Sequence, residues 1–329
     1  YENKREVRVN GVKISKNADL LGNINSVFFS PGELRLIQDG PEERRRFLNV
    51  SNSQMSRSYY TALIRYNKIL EQRNALLKNR DIELIYETLP VWDAQLAHYA
   101  AELVDKRKEY LEMLAPLAQE KHAYLTDNAE KLEISAEKCY GKNAMETEQA
   151  LFAEFSSNYE RDIRLGFTAA GPHRDDIKVL IDGVEARVYG SQGQTRTAAL
   201  AVKLAEVAIF RQISGEYPVL ILDDVMSELD MTRRTRLLRE IEGVQTFITC
   251  KMAVCVVELL EKIDVHHHGG DGRHFVPSVV QRQAFQRTAV FHPRQFVRVR
   301  HLIQLDIHTA DVGVLLLDDD LGVTGRDLT

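Results

Sequence analysis

The sequence has few cysteines and no long apolar run. Its 329 residues include three cysteines, Cys139, Cys250 and Cys255, which are too few and too scattered for a disulfide framework. No apolar stretch approaches the roughly 20 residues of a membrane span, and no signal peptide opens the chain. These absences favour a cytoplasmic protein with no membrane partner.

The sequence also lacks an excess of basic charge. It has 43 lysines and arginines against 48 aspartates and glutamates, which gives a formal net charge of −5. A globally basic surface is therefore excluded, and any contact with nucleic acid must be a local patch. With 44 % hydrophobic residues, the chain is long enough for two domains and has no composition typical of disorder.

The last segment lacks lysine and glutamate altogether. Neither occurs from Ile263 to Thr329, whereas seven of the ten histidines lie there. Such a switch is typical of a separate domain or of a frameshift near the 250s, and we favour the frameshift. The histidines His266, His267, His268 and His274, taken with Cys250 and Cys255, fit no zinc pattern, so we predict no metal site in this segment.

Turn signals and apolar periodicity predict the secondary structure. Asn10-Gly11 and Asp182-Gly183 each lie between alternating apolar residues, which predicts two β-hairpins. Between residues 41 and 158 apolar residues recur at steps of three and four, which predicts a helical lobe with two long amphipathic helices. From 190 to 250 helices and strands alternate, which predicts an α/β fold with buried parallel strands.

Two carboxylates end the apolar stretch VLILDD. An apolar strand with acids at its carboxyl tip places them where α/β sheets bind ligands. There Asp223 would hold a hydrated Mg²⁺ and Asp224 would orient the attacking water of a nucleotide-hydrolysing site. The alternative is a solvated turn that happens to be acidic.

The stretch GSQGQTRTAALAVKLAE places a polar loop before an apolar helix. Ser191 to Gln194 would cap a helix that begins near Thr195 and is buried against a sheet, and its free N–H groups would form an anion site. Gly193 would let a phosphate approach without a Cβ in the way. The alternative is an ordinary serine-capped core helix. The stretch SELD, Ser227 to Asp230, adds a second helix cap directly after the carboxylates.

Two smaller groups are weaker candidates. Arg44, Arg45 and Arg46 either touch DNA phosphates or form an ion network with nearby acids. His173 and Arg174 in GPHRDD either serve a nucleotide or DNA, or form a structural turn.

Five segments together resemble a known family. Ser191-Gln-Gly-Gln, LILDDVMSELD and QTFITC are similar to the signature, Walker B, D-loop and switch-strand segments of ABC-type ATPases of the SMC class. FSPGELRLIQDGPEERRRFLN (Phe29 to Asn49) and GPHRDD (Gly171 to Asp176) narrow the resemblance to the RecF family of bacterial recombination mediators. The resemblance covers roughly residues 1 to 250.

The resemblance implies an α/β ABC/SMC-type ATPase head with an inserted all-α lobe. Residues 1–40 and 159–262 would form the head, 41–158 the helical lobe and 263–329 an aberrant tail. ATP and Mg²⁺ are the implied cofactors, with Asp223 on the metal and Asp224 as the catalytic acid. The implied nucleotide-binding residues are Ser191, Gln192, Gly193, Gln194, Ser227, Asp230 and Thr249.

The family also implies partners and an activity. Its members dimerise on ATP, with the signature acting across the dimer, and bind double-stranded DNA near single-strand gaps with a RecR-type partner to support recombinase loading. Their glycine-rich phosphate loop would lie upstream of Tyr1, so we expect this chain, a fragment by that reading, to bind and hydrolyse ATP weakly or not at all. Thr249 stands where many such ATPases have histidine, and Asn49 where aspartate is usual. The alternative is a non-catalytic scaffold that binds DNA or partners.

Overall fold

The computed structural model describes residues 7–9, 11–14, 20–79, 81–250, 295–299 and 315–316. The chain divides into two units, each assembled from two stretches of sequence. The first unit comprises Tyr1–Asn25 and Glu33–Pro218, and the second comprises Ser26–Gly32 and Val219–Thr329.

Helices dominate the first unit, and strands form the centre of the second. The α-helices are α1 (Arg35–Gln38), α2 (Pro41–Met55), α3 (Arg57–Leu76), α4 (Ile82–Thr126), α5 (Ala144–Ser157), α6 (Tyr159–Leu165), α7 (Ala186–Tyr189), α8 (Gln192–Ser214) and α9 (Met231–Glu240). The strands are β1 (Val7–Val9), β2 (Val12–Ile14), β3 (Ser26–Phe29), β4 (Leu132–Ala136), β5 (Ile177–Ile181), β6 (Val184–Glu185), β7 (Val219–Asp223), β8 (Thr246–Cys250), β9 (Gln295–Val299) and β10 (Leu315–Leu316).

The core of the first unit is the packing of α3 against α4 and of α4 against α5. The apolar stripes predicted on α3 and α4 supply most of it, with Tyr66, Leu96 and Leu103 at most 1 % exposed, and the fully buried Phe155 of α5 packs against them. Side chains fix both helix starts, because Ser56 caps α3 and Asp81 caps α4. The predicted pair of long amphipathic helices is confirmed.

A buried arginine joins three elements of this unit. The Arg73 guanidinium is fully buried, and it donates to Asp93 and Asp162 at 2.7 Å each and to Thr168 at 2.8 Å. Two carboxylates around one guanidinium, with an added hydroxyl acceptor, are the arrangement that makes a buried charge tolerable. Sequence periodicity placed Arg73 on a helix and gave no sign of its burial.

A strand interrupts the segment that was predicted to be helical. In β4 the buried Leu132 and Ile134 alternate with more exposed neighbours, and β4 pairs antiparallel with β5. The following turn confirms the second predicted hairpin, because Asp182 and Gly183 have φ of 52° and 78° and join β5 to β6. The first hairpin is confirmed by the antiparallel pairing of β1 with β2.

The second unit contains a five-stranded sheet in the order β10-β9-β8-β7-β3. Strand β7 is parallel to both β3 and β8, and β9 joins the far side of β8 antiparallel. The predicted α/β order with central parallel strands is thereby confirmed. Apart from β9 and β10, the predicted tail 263–329 lies outside the described residues. Among the helices that the structure describes, none is long and apolar enough to cross a membrane.

Candidate functional site

The polar loop before α8 forms a complete capping box. Ser191 Oγ accepts from the Gln194 N–H at 3.2 Å, and Gln194 Oε1 accepts from the Ser191 N–H at 2.9 Å. These reciprocal bonds satisfy two backbone donors at the helix start. The helix begins at Gln192, three residues before the predicted start, because the capping serine lies at 191.

Packing on both sides holds this loop in place. A Cβ on Gly190 would lie 2.4 Å from the carbonyl oxygen of Ala186, so only glycine fits between α7 and α8. By contrast, the nearest atom to a Cβ on Gly193 is Ser191 Oγ at 4.0 Å, which leaves the backbone open to an approaching group. We predicted that α8 would be buried against a sheet. Within its unit, α8 packs chiefly against α4.

The carboxyl end of β7 forms an acidic corner, defined here as Asp223, Asp224, Ser227 and Thr249. Asp224 is 7 % exposed and adopts φ 56°, the left-handed region that costs most residues energy. Its N–H donates to the Thr249 carbonyl at 3.0 Å and to Thr249 Oγ1 at 3.1 Å. Thr249 Oγ1 in turn donates to the Asp223 carboxylate. One threonine therefore orients both aspartates.

A serine completes the acidic corner, and an aspartate caps the helix that follows. Ser227 Oγ lies 2.8 Å from the carbonyl oxygen of Asp224 and 2.9 Å from its Oδ1. Asp230 is the N-cap of α9 and accepts from the Arg233 N–H at 2.9 Å. That backbone hydrogen bond lowers the pKa of Asp230 below its usual value. Asp230 is the helix cap that the SELD motif predicted, whereas Ser227 bonds Asp224 and does not cap α9.

The predicted site residues thus fall into two groups. The first unit carries Ser191, Gln192, Gly193 and Gln194 on the capped loop. The second unit carries the acidic corner and Asp230. Among the described residues no group of three or more histidine, cysteine or carboxylate side chains is placed to hold a metal. The histidines His266, His267, His268 and His274 lie outside those residues.

The three consecutive arginines have three different environments. Arg44 is buried and forms a bidentate pair with Asp176, at 2.7 Å for each bond. Arg45 donates to the carbonyl of Asp175 at 3.1 Å. The Arg46 side chain is 68 % exposed and lies 3.4 Å from Glu43. The ion-network alternative therefore describes Arg44, and the Arg46 guanidinium is the one that solvent reaches most easily.

The GPHRDD segment is a structural junction, which was one of the two alternatives that the sequence left open. Gly171 has φ 112°, and a Cβ there would lie 3.0 Å from Tyr66 Oη, so glycine is required. His173 Nδ1 accepts from that hydroxyl at 2.6 Å, and Nε2 donates to the Thr168 carbonyl at 3.0 Å. Burial lowers the pKa of His173 to about 4, so the ring is neutral at pH 7. The structural alternative accounts for His173.

Curated proteins similar in sequence to this chain are described as DNA replication and repair protein RecF. The protein of Lachnoclostridium phytofermentans is 44 % identical over 245 residues, covering 74 % of this chain and 66 % of that protein. That of Clostridium perfringens is 39 % identical over 249 residues (76 % and 68 %), and that of Alkaliphilus oremlandii is 41 % identical over 263 residues (78 % and 71 %). The chain belongs to the RecF family. It spans about two thirds of the length of these RecF relatives.

Solved RecF structures share the fold. One, described as the recombination mediator protein RecF-ATPrS in the RecFOR pathway, has a TM-score of 0.66 at 38 % identity and covers 73 % of this chain and 66 % of its own. A second, described as RecF-ATP, has a TM-score of 0.66 at 37 % identity and covers 74 % and 66 %. No protein-family model matches the chain. The predicted α/β fold with a large helical part is confirmed, and solved RecF structures share it.

Proposed function

We propose that this chain acts in DNA replication and repair as part of an ATP-dependent DNA-binding protein of recombination. The observation that carries the proposal is the acidic corner at the carboxyl end of a parallel strand, in a chain of the RecF family. Ligands of α/β sheets bind outside the carboxyl ends of their strands. Solved RecF relatives are described with ATP or ATPrS, which supports the same nucleotide here.

The acidic corner fits a magnesium–nucleotide site. Carboxylates and hydroxyls are hard oxygen ligands of the kind that Mg²⁺ prefers, and Asp223 and Thr249 supply both types at one point. Bound there, the metal would neutralise phosphate charge. Asp224, held by Thr249 and Ser227, is positioned to orient a water molecule and accept its proton.

The capped loop fits a phosphate site completed by a second copy of the chain. Its N–H groups lie at the positive end of α8, and Gly193 leaves the backbone accessible. If Ser191 to Gln194 close over the γ-phosphate of a partner copy, nucleotide binding and dimerisation are linked and each strengthens the other. Ser227 and Asp230 would then couple the two nucleotide sites.

The DNA and protein partners follow from the family. We propose binding to double-stranded and gapped DNA, joint action with a RecR-type mediator, and support of recombinase loading. The exposed Arg46 is the candidate phosphate contact among the three arginines. Removing a single phosphate contact should reduce the slope of log K for DNA binding against log salt concentration by about one.

Hydrolysis of ATP on gapped duplex DNA, measured on a full-length protein that includes a glycine-rich phosphate loop, tests the proposal. Replacing Asp224 with Asn should lower kcat by about a hundredfold or more, with nucleotide binding retained. Asp182→Asn is the matched control, because Asp182 also has positive φ and lies in the β5–β6 turn. Equal hydrolysis by the Asp224→Asn variant would refute the assigned role. A full-length parent protein that binds DNA without hydrolysing ATP would favour the non-catalytic scaffold.

A further inference from the structure

A cavity of about 340 Å³ in the first unit has no role in the proposed nucleotide chemistry. It opens between α2, α4, β4 and the start of β5, and we name it the α4–β4 cavity. Its apolar lining includes Leu48, Val104, Leu111, Ala115, Ile134 and Ile177. Its volume lies within the range of about 300–1,000 Å³ that is usual for ligand sites.

Two guanidinium groups at this cavity have neutral hydrogen-bond partners. Arg107 is buried, and it donates to the Tyr59 hydroxyl at 3.0 Å, to the Pro172 carbonyl at 2.7 Å and to Asn49 Oδ1 at 2.8 Å. Arg45 donates to the backbone carbonyls of residues 174 and 175. Neither guanidinium hydrogen-bonds a carboxylate in these contacts, so each contributes positive potential to the cavity.

Four carboxylates and five cationic side chains line the cavity. Asp176 forms the bidentate pair with Arg44, and Asp105 accepts from Thr147 Oγ1 at 3.1 Å. Asp175 accepts from the Tyr140 hydroxyl at 2.7 Å, and burial raises its pKa. The exposed Glu112 lies one helical turn from the lining lysine Lys108. The lining therefore has one more cationic than anionic side chain, which favours an anionic ligand.

We propose that the α4–β4 cavity binds an acidic peptide segment of a protein partner. An apolar side chain of that segment would fill the cavity, and its flanking carboxylates would face Arg45 and Lys108. Interfaces commonly combine a buried apolar anchor with a charged rim in this way. Duplex DNA is the less suitable occupant, because it offers phosphates on a convex surface and no apolar group to fill a cavity.

Selection from a random dodecapeptide phage library on the immobilised full chain tests this proposal. We expect the recovered peptides to carry an aromatic or leucine residue flanked by aspartate or glutamate. In fluorescence anisotropy, a labelled consensus peptide should bind Val104→Glu about tenfold or more weakly, because a buried carboxylate would repel it. Arg45→Gln and Lys108→Gln, which leave the apolar lining intact, should each weaken binding roughly threefold or more.

Lys68→Gln is the matched control. Lys68 is exposed on α3 and lies outside the cavity lining, so this substitution removes one positive charge away from the cavity. Its peptide affinity should equal that of the parent. Recovery of basic peptides only, or equal binding by parent and Val104→Glu, would overturn the proposal. So would Arg45→Gln and Lys108→Gln variants that weaken duplex DNA binding and leave the peptide affinity unchanged. Loss of ATP hydrolysis in Asp224→Asn is a separate measurement, so each proposal can fail alone.

Discussion

The capped loop of the first unit and the acidic corner of the second both present polar groups where an apolar element ends, but different contacts hold them in place. The loop is exposed, and its capping box closes on itself through Ser191 and Gln194. The corner holds Asp224 buried with positive φ, and Thr249 orients both of its aspartates.

The comparison separates local from long-range organisation. A capping box needs four consecutive residues and forms wherever a helix starts in that sequence. The corner needs β8 beside β7, because Thr249 comes from the neighbouring strand. A residue keeps an energetically unfavourable backbone conformation only when several surrounding contacts enforce it. The loop should therefore tolerate change better than the corner does.

The largest expected effect is at Thr249. Thr249→Val removes the hydroxyl that donates to Asp223 and accepts from the Asp224 N–H, and should destabilise the second unit by about 1–3 kcal/mol. Hydrogen exchange of the amides at the end of β7 measures this directly. Thr249→Ser keeps the hydroxyl and should exchange like the parent. A stable valine variant would show that the corner does not depend on β8.

A smaller effect is expected on the capped loop. Ser191→Ala removes the acceptor for the Gln194 N–H and should cost about 1 kcal/mol of helix stability. Exchange of the first amides of α8 is the measurement. Ser191→Asn, which keeps an acceptor, is the control. If the alanine variant lost as much stability as Thr249→Val, the contrast between the two regions would disappear.

Asp224→Asn should change stability by less than about 1 kcal/mol, because asparagine tolerates the left-handed region and its Oδ1 still accepts from Ser227. Denaturant unfolding of the full chain provides the value. If stability changes this little, loss of ATP hydrolysis in the same variant results from the missing carboxylate and not from unfolding. A large loss of stability would mean that unfolding also accounts for the lost hydrolysis.

The smallest effect concerns pH. Because the Arg233 N–H lowers the folded-state pKa of Asp230, the ionised Asp230 contributes to folding stability above the ordinary carboxyl pKa. This stabilisation is lost as the pH falls through the lowered pKa. Asp230→Asn should therefore flatten the acid side of the stability profile slightly, since the side chain is half exposed. Thermal unfolding of both proteins from neutral to acid pH measures the difference, and identical slopes would contradict it.

Sequence reasoning succeeded where local chemistry determines structure. The Asp182-Gly183 turn, the strand before Asp223 and the cap at Ser191 each follow from adjacent residues. It missed β4 because the alternation of Leu132 and Ile134 is short and lies between long helical patterns. Only pairing with β5 makes that stretch a strand.

Contacts between distant residues lay beyond such reasoning. The Arg44–Asp176 pair joins the two segments that carry the strongest RecF resemblance, across 132 positions of sequence. In a run of three arginines, the sequence alone does not indicate which side chain is buried. Arg73 is hidden for the same reason, because its partners Asp93 and Asp162 lie on other helices.

The parallel pairing of β3 with β7 has a consequence for synthesis on the ribosome. Ser26 pairs with Val219, so the partner of β3 is made 193 residues later (219 − 26). At about 5–20 residues per second, β3 waits roughly 10–40 s for its partner. All of the first unit emerges before β7 is complete. A nascent chain would therefore carry an unpaired apolar strand, with Val27 and Phe29 uncovered, for most of its translation, which makes it a natural client for chaperones that bind extended apolar segments.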